Sequence, residues 1–206
     1  MGPAYNPESM SGVRHRDGKE IVEAADLVGW RRWLRSNHAD GEPVWVTNSK
    51  KDGEVPAVAY TDARDEALCW GWIDSTVNRL DEHRYLTLFA RRKPRSGWSK
   101  VNKQRIEALR AEGRMQEPGE QVITAAIEDG SWTLLDSIEN LEAPDDLSAA
   151  LDADPLAGRG YESMPPGMKK ELIRSVVLAK RPETRTRRLE QAVADARERA
   201  LRTGSS

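Results

Sequence analysis

Cysteine and phenylalanine each occur once in this chain of 206 residues, and histidine three times. A lone cysteine excludes an intramolecular disulfide framework and fits a reducing compartment. With three scattered histidines it offers no zinc framework either, so no metal is expected. One phenylalanine leaves the seven tryptophans to supply most of the aromatic core. No apolar run in the first twenty residues is long enough for a signal-peptide core, and no stretch approaches membrane-spanning length. The expected location is therefore cytoplasmic, with no membrane span. A net charge of only −2 removes any global basic field for nucleic acid. There is no P-loop, no dinucleotide fingerprint, no paired-carboxylate spacing and no internal repeat, so no cofactor is expected.

What is present is charge in blocks. From Arg84 to Arg105 there are eight Lys or Arg residues and no acid, and from Asp136 to Asp154 seven acids and no Lys or Arg. Two readings are open: the segments are solvated or paired faces, or the basic stretch holds an anion. A chain of this size buries roughly 70% of its extended surface on folding, enough for a real core.

The pattern along the chain predicts an α+β fold, with a small antiparallel sheet and helices in the N-terminal half and an all-helical C-terminal half. Residues 1–18 read as a polar arm, 19–135 as the α+β region and 136–206 as the helical region; the last few residues read as a frayed end. Lys19–Ala24 suits a short strand. Asp26 caps a helix whose Leu27, Trp30 and Leu34 share one face. Pro43–Ser49 alternates as a strand, and Lys50–Gly53 is turn chemistry. Thr61 reads as the N-cap of a helix over Asp62–Trp70, whose early acids suit the helix dipole, and Gly71 stops it. Trp72–Leu80 and Arg84–Arg91 alternate as a β-hairpin. Ser99 caps a helix running to about Glu112. Helices follow over about Pro118–Asp129, Leu147–Leu151, Gly167–Lys180 and Pro182–Leu201, with Pro182 at a tolerated first-turn position. Pro144–Asp146 and Asp154–Pro166 read as the loosest connections.

Projecting the helix after Ser99 puts Val101, Ile106 and Leu109 on an apolar arc with Asn102 and Arg105 inside it, and Lys100, Lys103, Arg110 and Arg114 opposite. An arginine in an apolar arc must be paired or line a cavity. Asp74 is the expected partner; a ligand-facing Arg105 is the alternative. Lys180 lies on the arc of Ile173, Val176 and Val177, and Arg185 on that of Leu189, Val193 and Ala196, so the two cations flank the Pro182 corner. They are either a helix cap and a salt bridge to the acidic stretch, or the second wall of an anion pocket. Ser96, Gly97, Ser99 and the helix N–H groups, with Arg91, Arg92 and Arg95, suit an anion seat, though Ser99 also suits simple capping. Trp70, Trp72 and Trp98 are core residues or a stacking platform. Both Trp70 and Trp72 are not expected to face inward. Cys69 has no motif-linked histidine, and His38 reads as a satisfied histidine at the core edge.

Three segments carry a family resemblance: Cys69-Trp70-Gly71-Trp72-Ile73-Asp74, Pro94-Arg95-Ser96-Gly97-Trp98-Ser99-Lys100-Val101-Asn102, and Ala179-Lys180-Arg181-Pro182-Glu183-Thr184-Arg185-Thr186-Arg187-Arg188. Over roughly Lys19–Arg199 the chain resembles the bacterial YdeI/OmpD-associated family, also called bacteriocin-protection proteins. Trp70 stands where a phenylalanine is expected, and the helix before Lys180 lacks an aromatic residue that relatives often carry. The resemblance implies an OmdA-like C-terminal module and a role in protection against bacteriocins or antimicrobial peptides, with no mechanism attached. The expected function is binding of an anionic small molecule or a protein partner at Asp74, Ser96, Trp98, Ser99, Asn102, Arg105, Lys180 and Arg185. The alternatives are a small-molecule enzyme with a Trp-walled pocket around Asp74 and Arg105, and a nucleic-acid binder using the basic stretch. The last is not expected to bind duplex tightly at physiological salt, since Arg105 points inward and the strand cations split between two faces.

Overall fold

A computed structural model describes residues 14–50 and 55–203. Most of the polar arm (1–13), most of the Lys50–Gly53 turn and residues 204–206 lie outside the described residues. The chain divides into two units: the first runs to Ser96 and takes in Lys103–Asp129, and the second comprises Gly97–Asn102 and the chain from Gly130 onward.

The first unit is built on a five-stranded sheet in the order β1-β2-β3-β5-β4. Strands β1 (His15–Arg16) and β2 (Lys19–Val22) pair antiparallel through Asp17-Gly18, both at positive φ, which is the backbone a two-residue hairpin demands. The end of the expected arm is thus part of the sheet. Helix α1 (Leu27–Asn37) starts where Asp26 accepts the Gly29 N–H at 2.8 Å and buries Trp30 and Leu34. Because α1 crosses between them, β3 (Val44–Ser49) returns parallel to β2, with Ile21 opposite Trp45. The sheet is therefore mixed: this pair departs from the antiparallel expectation, and the other pairings keep it.

Helix α2 (Tyr60–Cys69) begins after Ala59, which makes no side-chain cap, so Thr61 is not the N-cap. Trp70 and Trp72 are both buried, contrary to expectation. Gly71 between them sits at φ 75°, and this left-handed step re-aims the chain as helix passes into strand. Strands β4 (Trp72–Arg79) and β5 (Arg84–Arg91) form the expected hairpin, with a register shift between Asp74 and Val77. Val44, Val46, Trp72 and Phe89 share one sheet face, packed in one core with Trp30, Leu34, Ala63, Ala67 and Leu68. Helix α3 (Lys100–Ala111) buries Ile106 and Leu109 but leaves Val101 64% exposed, so the apolar arc is shorter than projected. Helix α4 (Glu117–Glu128) packs on α2.

In the second unit, α5 (Asp136–Glu139), α6 (Asp145–Asp152), α7 (Pro155–Glu162), α8 (Pro166–Val177) and α9 (Pro182–Thr203) follow in turn. The two segments read as loose are not loose. Pro144 leads straight into α6, and Asp154 caps α7 by accepting the Leu156 and Ala157 N–H groups at 3.1 and 3.2 Å. Pro155 then suits the first helical position. Ile138, Leu147, Leu151, Ala157, Tyr161, Ile173, Val176, Ala192 and Ala196 form this unit's core. Three of the seven acids of the acidic stretch are paired within it: Asp146 with Arg185, Glu139 with Lys170 and Asp154 with Arg197, each N···O distance being 2.7 Å or less.

Candidate functional site

Helix α2 packs against α1, α4 and the sheet, so little of its surface is left for solvent. Two consecutive acids, Asp65 and Glu66, are buried on it. A carboxylate removed from water needs partners, and here they are all arginines and one indole. Arg31 on α1 grips Glu66 with two parallel hydrogen bonds of 2.8 Å. Trp70 Nε1 donates to Glu66 at 3.2 Å, and Arg114 stands 3.6 Å away. Asp65 accepts from Arg64 at 2.8 Å on one oxygen and from Arg105 Nε at 2.7 Å on the other. Glu112 joins the two sides, 3.8 Å from Arg105 and 3.1 Å from Arg114. Gly113, at φ 65°, ends α3 and lets Arg114 return to this cluster, rather than extending the outer face of the helix.

Burial alone would push the Glu66 carboxyl up; Arg31, Trp70 and Arg114 outweigh it and hold the group below the usual carboxylate value. The hydrogen bond to Asp65 raises Arg105 in turn.

Asp74 and Arg105 do not pair. Arg105 is half-buried on α3 and meets α2 at Asp65, whereas Asp74 on β4 accepts the Tyr60 hydroxyl at 2.8 Å. Burial and donation to Asp74 push the Tyr60 phenol up to about 12, and burial lowers the Arg92 guanidinium to about 10 against the opposing field of Asp74. Arg64 bridges the two ends: it bonds Asp65, and its guanidinium lies 5.9 Å from the centre of the Tyr60 ring. Both expected residues thus belong to one chain of polar contacts along α2, through intermediaries the sequence reading did not single out. In the sequence, Asp65 and Glu66 read only as acids that suit the dipole of the helix over Asp62–Trp70. The available signal was spacing: Glu66 follows Ala63 by three residues and precedes Cys69 and Trp70 by three and four, inside the apolar stripe.

Cys69 is buried in the same layer, and burial, with Glu66 adding to it, pushes its thiol up to about 12. The thiolate needed for nucleophilic work is therefore scarce at neutral pH. Iodoacetamide at pH 8 is expected to leave native Cys69 unmodified and to label it fully in urea; mass spectrometry reads the difference, and rapid native labelling would contradict this burial. His38 closes α1, its Nδ1 3.2 Å from the Leu34 carbonyl and its ring 4.9 Å from Trp70, as a satisfied core-edge histidine should.

The other expected site residues lie elsewhere. Ser96 donates to the Lys93 carbonyl at 2.7 Å in a turn. Ser99 accepts the Asn102 N–H at 3.3 Å, the bond of a helix cap, and Asn102 is half-buried. Trp98 is buried, with its ring 5.0 Å from Trp132. A Cβ on Gly97 would stand 2.6 Å from Leu135 Cγ, so the close approach this glycine permits is taken by a side chain. Arg185 grips Asp146 at 2.7 and 2.9 Å and donates to the Val176 carbonyl at 3.0 Å, the salt bridge to the acidic stretch that was one of its two readings. Lys180 is exposed, because α8 ends at Val177 and the projected arc does not reach it.

Among the described residues, no group of three or more His, Cys, Asp or Glu side chains is placed to hold a metal ion, and no helix is long and apolar enough to cross a membrane. Residues 22–122, from the end of β2 into α4, match a family model described as a domain of unknown function (DUF8412). Residues 140–199, which span α6 to most of α9, match the model described as Bacteriocin-protection, YdeI or OmpD-Associated. No curated protein and no solved structure matches the chain. Residues 140–199 are thus similar to the YdeI/OmpD-associated family, over the C-terminal part of the chain.

Proposed function

We propose that this is a cytoplasmic binding protein for an anionic group, acting in bacteriocin or antimicrobial tolerance, with its binding surface on the arginines gathered over Asp65 and Glu66. One observation carries the reading: the four guanidinium groups of Arg31, Arg64, Arg105 and Arg114 face the three carboxylates of Asp65, Glu66 and Glu112, which leaves the cluster net positive. The two α2 carboxylates are buried, while the arginine side chains remain between 23% and 41% exposed. Buried acids thus hold the planes of guanidinium groups on side chains that stay partly exposed. Such preorganisation lowers the entropy lost when an anion is gripped. The family's name supports the tolerance role, and the single, protonated thiol suits a reducing compartment. A thiol at about 12 favours binding over covalent catalysis. Nucleic acid is less well supported, because Arg84 and Arg105 of the basic stretch are taken by Asp81 and Asp65.

Calorimetric titration with pyrophosphate, citrate and an acidic peptide tests the proposal. At least one should bind saturably, more weakly as salt rises. Arg105→Gln should weaken it about ten-fold, the loss of one charge-assisted contact; Asp65 keeps Arg64 in this variant, so the fold should survive. No binding across the panel, or equal binding by the variant, would overturn the reading.

A further inference from the structure

We infer that a groove on α1 is a second binding site, for a small planar aromatic anion. The groove, of about 570 Å³, lies in the first unit between the end of β2 and one face of α1, lined by Val28, Gly29, Arg32 and Trp33 among others. That volume is in the range of small-molecule sites. It belongs to neither the arginine cluster on α2 nor the sequence motifs that carry the family resemblance, so it stands or falls apart from the proposed function.

Three features converge there. Trp33 is a wall whose ring is already fixed: it stacks on Trp30 at 5.2 Å with planes 14° apart, and meets Trp72 edge-on at 5.5 Å. A ring held by two others offers apolar surface without an ordering cost. Val28 extends that wall and is 59% exposed, an apolar side chain the core does not use. One residue before Trp33, Arg32 lines the groove, and its guanidinium makes no ion pair among the described residues. Of the two acids in the lining, Glu23 pairs with Arg14 at 2.7 Å, and Asp26 accepts the Gly29 N–H as the helix cap while keeping its charge. Arg32 is the cation among the groove's lining residues, and it stands on the Trp33 side.

The third feature is Gly29. Glycine weakens a helix relative to alanine, yet packing does not demand it here. A Cβ at Gly29 would meet only Asp26 Oδ1 at 3.5 Å and Ala24 atoms at 3.8 Å, ordinary contacts. The position lines the groove, so the missing side chain keeps the space beside Arg32 and Trp33 open. An aromatic carboxylate matches this set: its ring lies on Trp33 and Val28, and its carboxylate meets Arg32.

The test is a ¹H–¹⁵N NMR titration of the full chain with indole-3-carboxylate, set beside indole and acetate, which each carry half of the chemistry. Saturable shifts should centre on Gly29, Arg32 and Trp33, with a dissociation constant of about 1 mM for a ligand of this size. Indole and acetate should each bind more weakly. Arg32→Gln, at an exposed position, should weaken indole-3-carboxylate about five-fold, the upper end for a solvent-exposed ion pair. Gly29→Leu should abolish it by filling the groove, while Gly29→Ala should keep the fold and shows whether the backbone there tolerates a side chain. Shifts that ignore Arg32→Gln and Gly29→Leu, shifts centred on Arg31 and Arg105, or no saturable shift would each overturn the inference.

Discussion

Glu66→Ala is expected to destabilise the first unit by about 3–5 kcal/mol, the usual cost of breaking a buried ion pair from one side. Glu66 is 1% exposed and satisfies the two parallel bonds from Arg31, the Trp70 indole N–H and the charge of Arg114. Truncation leaves a buried indole donor without its acceptor and a cavity in the layer that holds Cys69 and Trp70. Arg31 is 41% exposed and rehydrates in part, which places the loss nearer the lower figure. Equilibrium urea unfolding followed by tryptophan fluorescence measures it, and a loss below about 1 kcal/mol would show that the arginines, rather than the carboxylate, organise α2. The same residue sets a pH signature. Its folded pKa lies below the ordinary 4.5, so its contribution is fully present above that value and is lost as the pH falls through the folded pKa. Wild-type stability should therefore decline in acid more steeply than that of Glu66→Ala, which has already lost the term.

Gly160→Val is expected to cost the second unit about 3 kcal/mol or more, at the upper end for an overpacked contact. Even a Cβ at Gly160 would overlap the Ala196 carbonyl oxygen and stand 2.7 Å from the Ala196 carbonyl carbon. The obstructing atoms are backbone of α9, so no rotamer change relieves the clash; α7 must move away from α9, its most extensive neighbour. Gly167→Ala is the control, since nothing lies within 4 Å of its added Cβ and it sits in the first turn of α8. It should be neutral or stabilising by up to about 1 kcal/mol. Urea unfolding of both variants by circular dichroism compares them directly. A Gly160→Val protein as stable as wild type would mean that α7 and α9 do not touch at this glycine.

The candidate site was only partly legible. Arg105 announced itself because a cation inside an apolar arc demands a carboxylate, and that much follows from helical geometry. Which carboxylate is a different question. Asp74 was the nearer inference, being the end of the tryptophan motif, but it faces Tyr60, and Arg105 reaches Asp65. The pairing depends on where the long Arg105 side chain of α3 meets α2, a contact between residues 40 apart that no local pattern encodes. Trp70 and Trp72 make the same point. Strand alternation allowed one of them inward, and the left-handed step at Gly71 turned both into the core.

By itself, the sequence determined the features that close over a few residues. The Asp26 and Ser99 caps, the alternation of Trp72–Arg79 against Arg84–Arg91 and the proline that opens α9 rest on hydrogen bonds and side-chain periods local to each element. Tertiary structure alone decided the parallel pairing of β2 with β3, the burial of Asp65 and Glu66 and the existence of α7. Gly158 and Gly160 give α7 the composition of a loop, because glycine disfavours an isolated helix. Against α9 the same absence of a side chain permits backbone contact at Ala196, and the packing gained there outweighs the propensity lost.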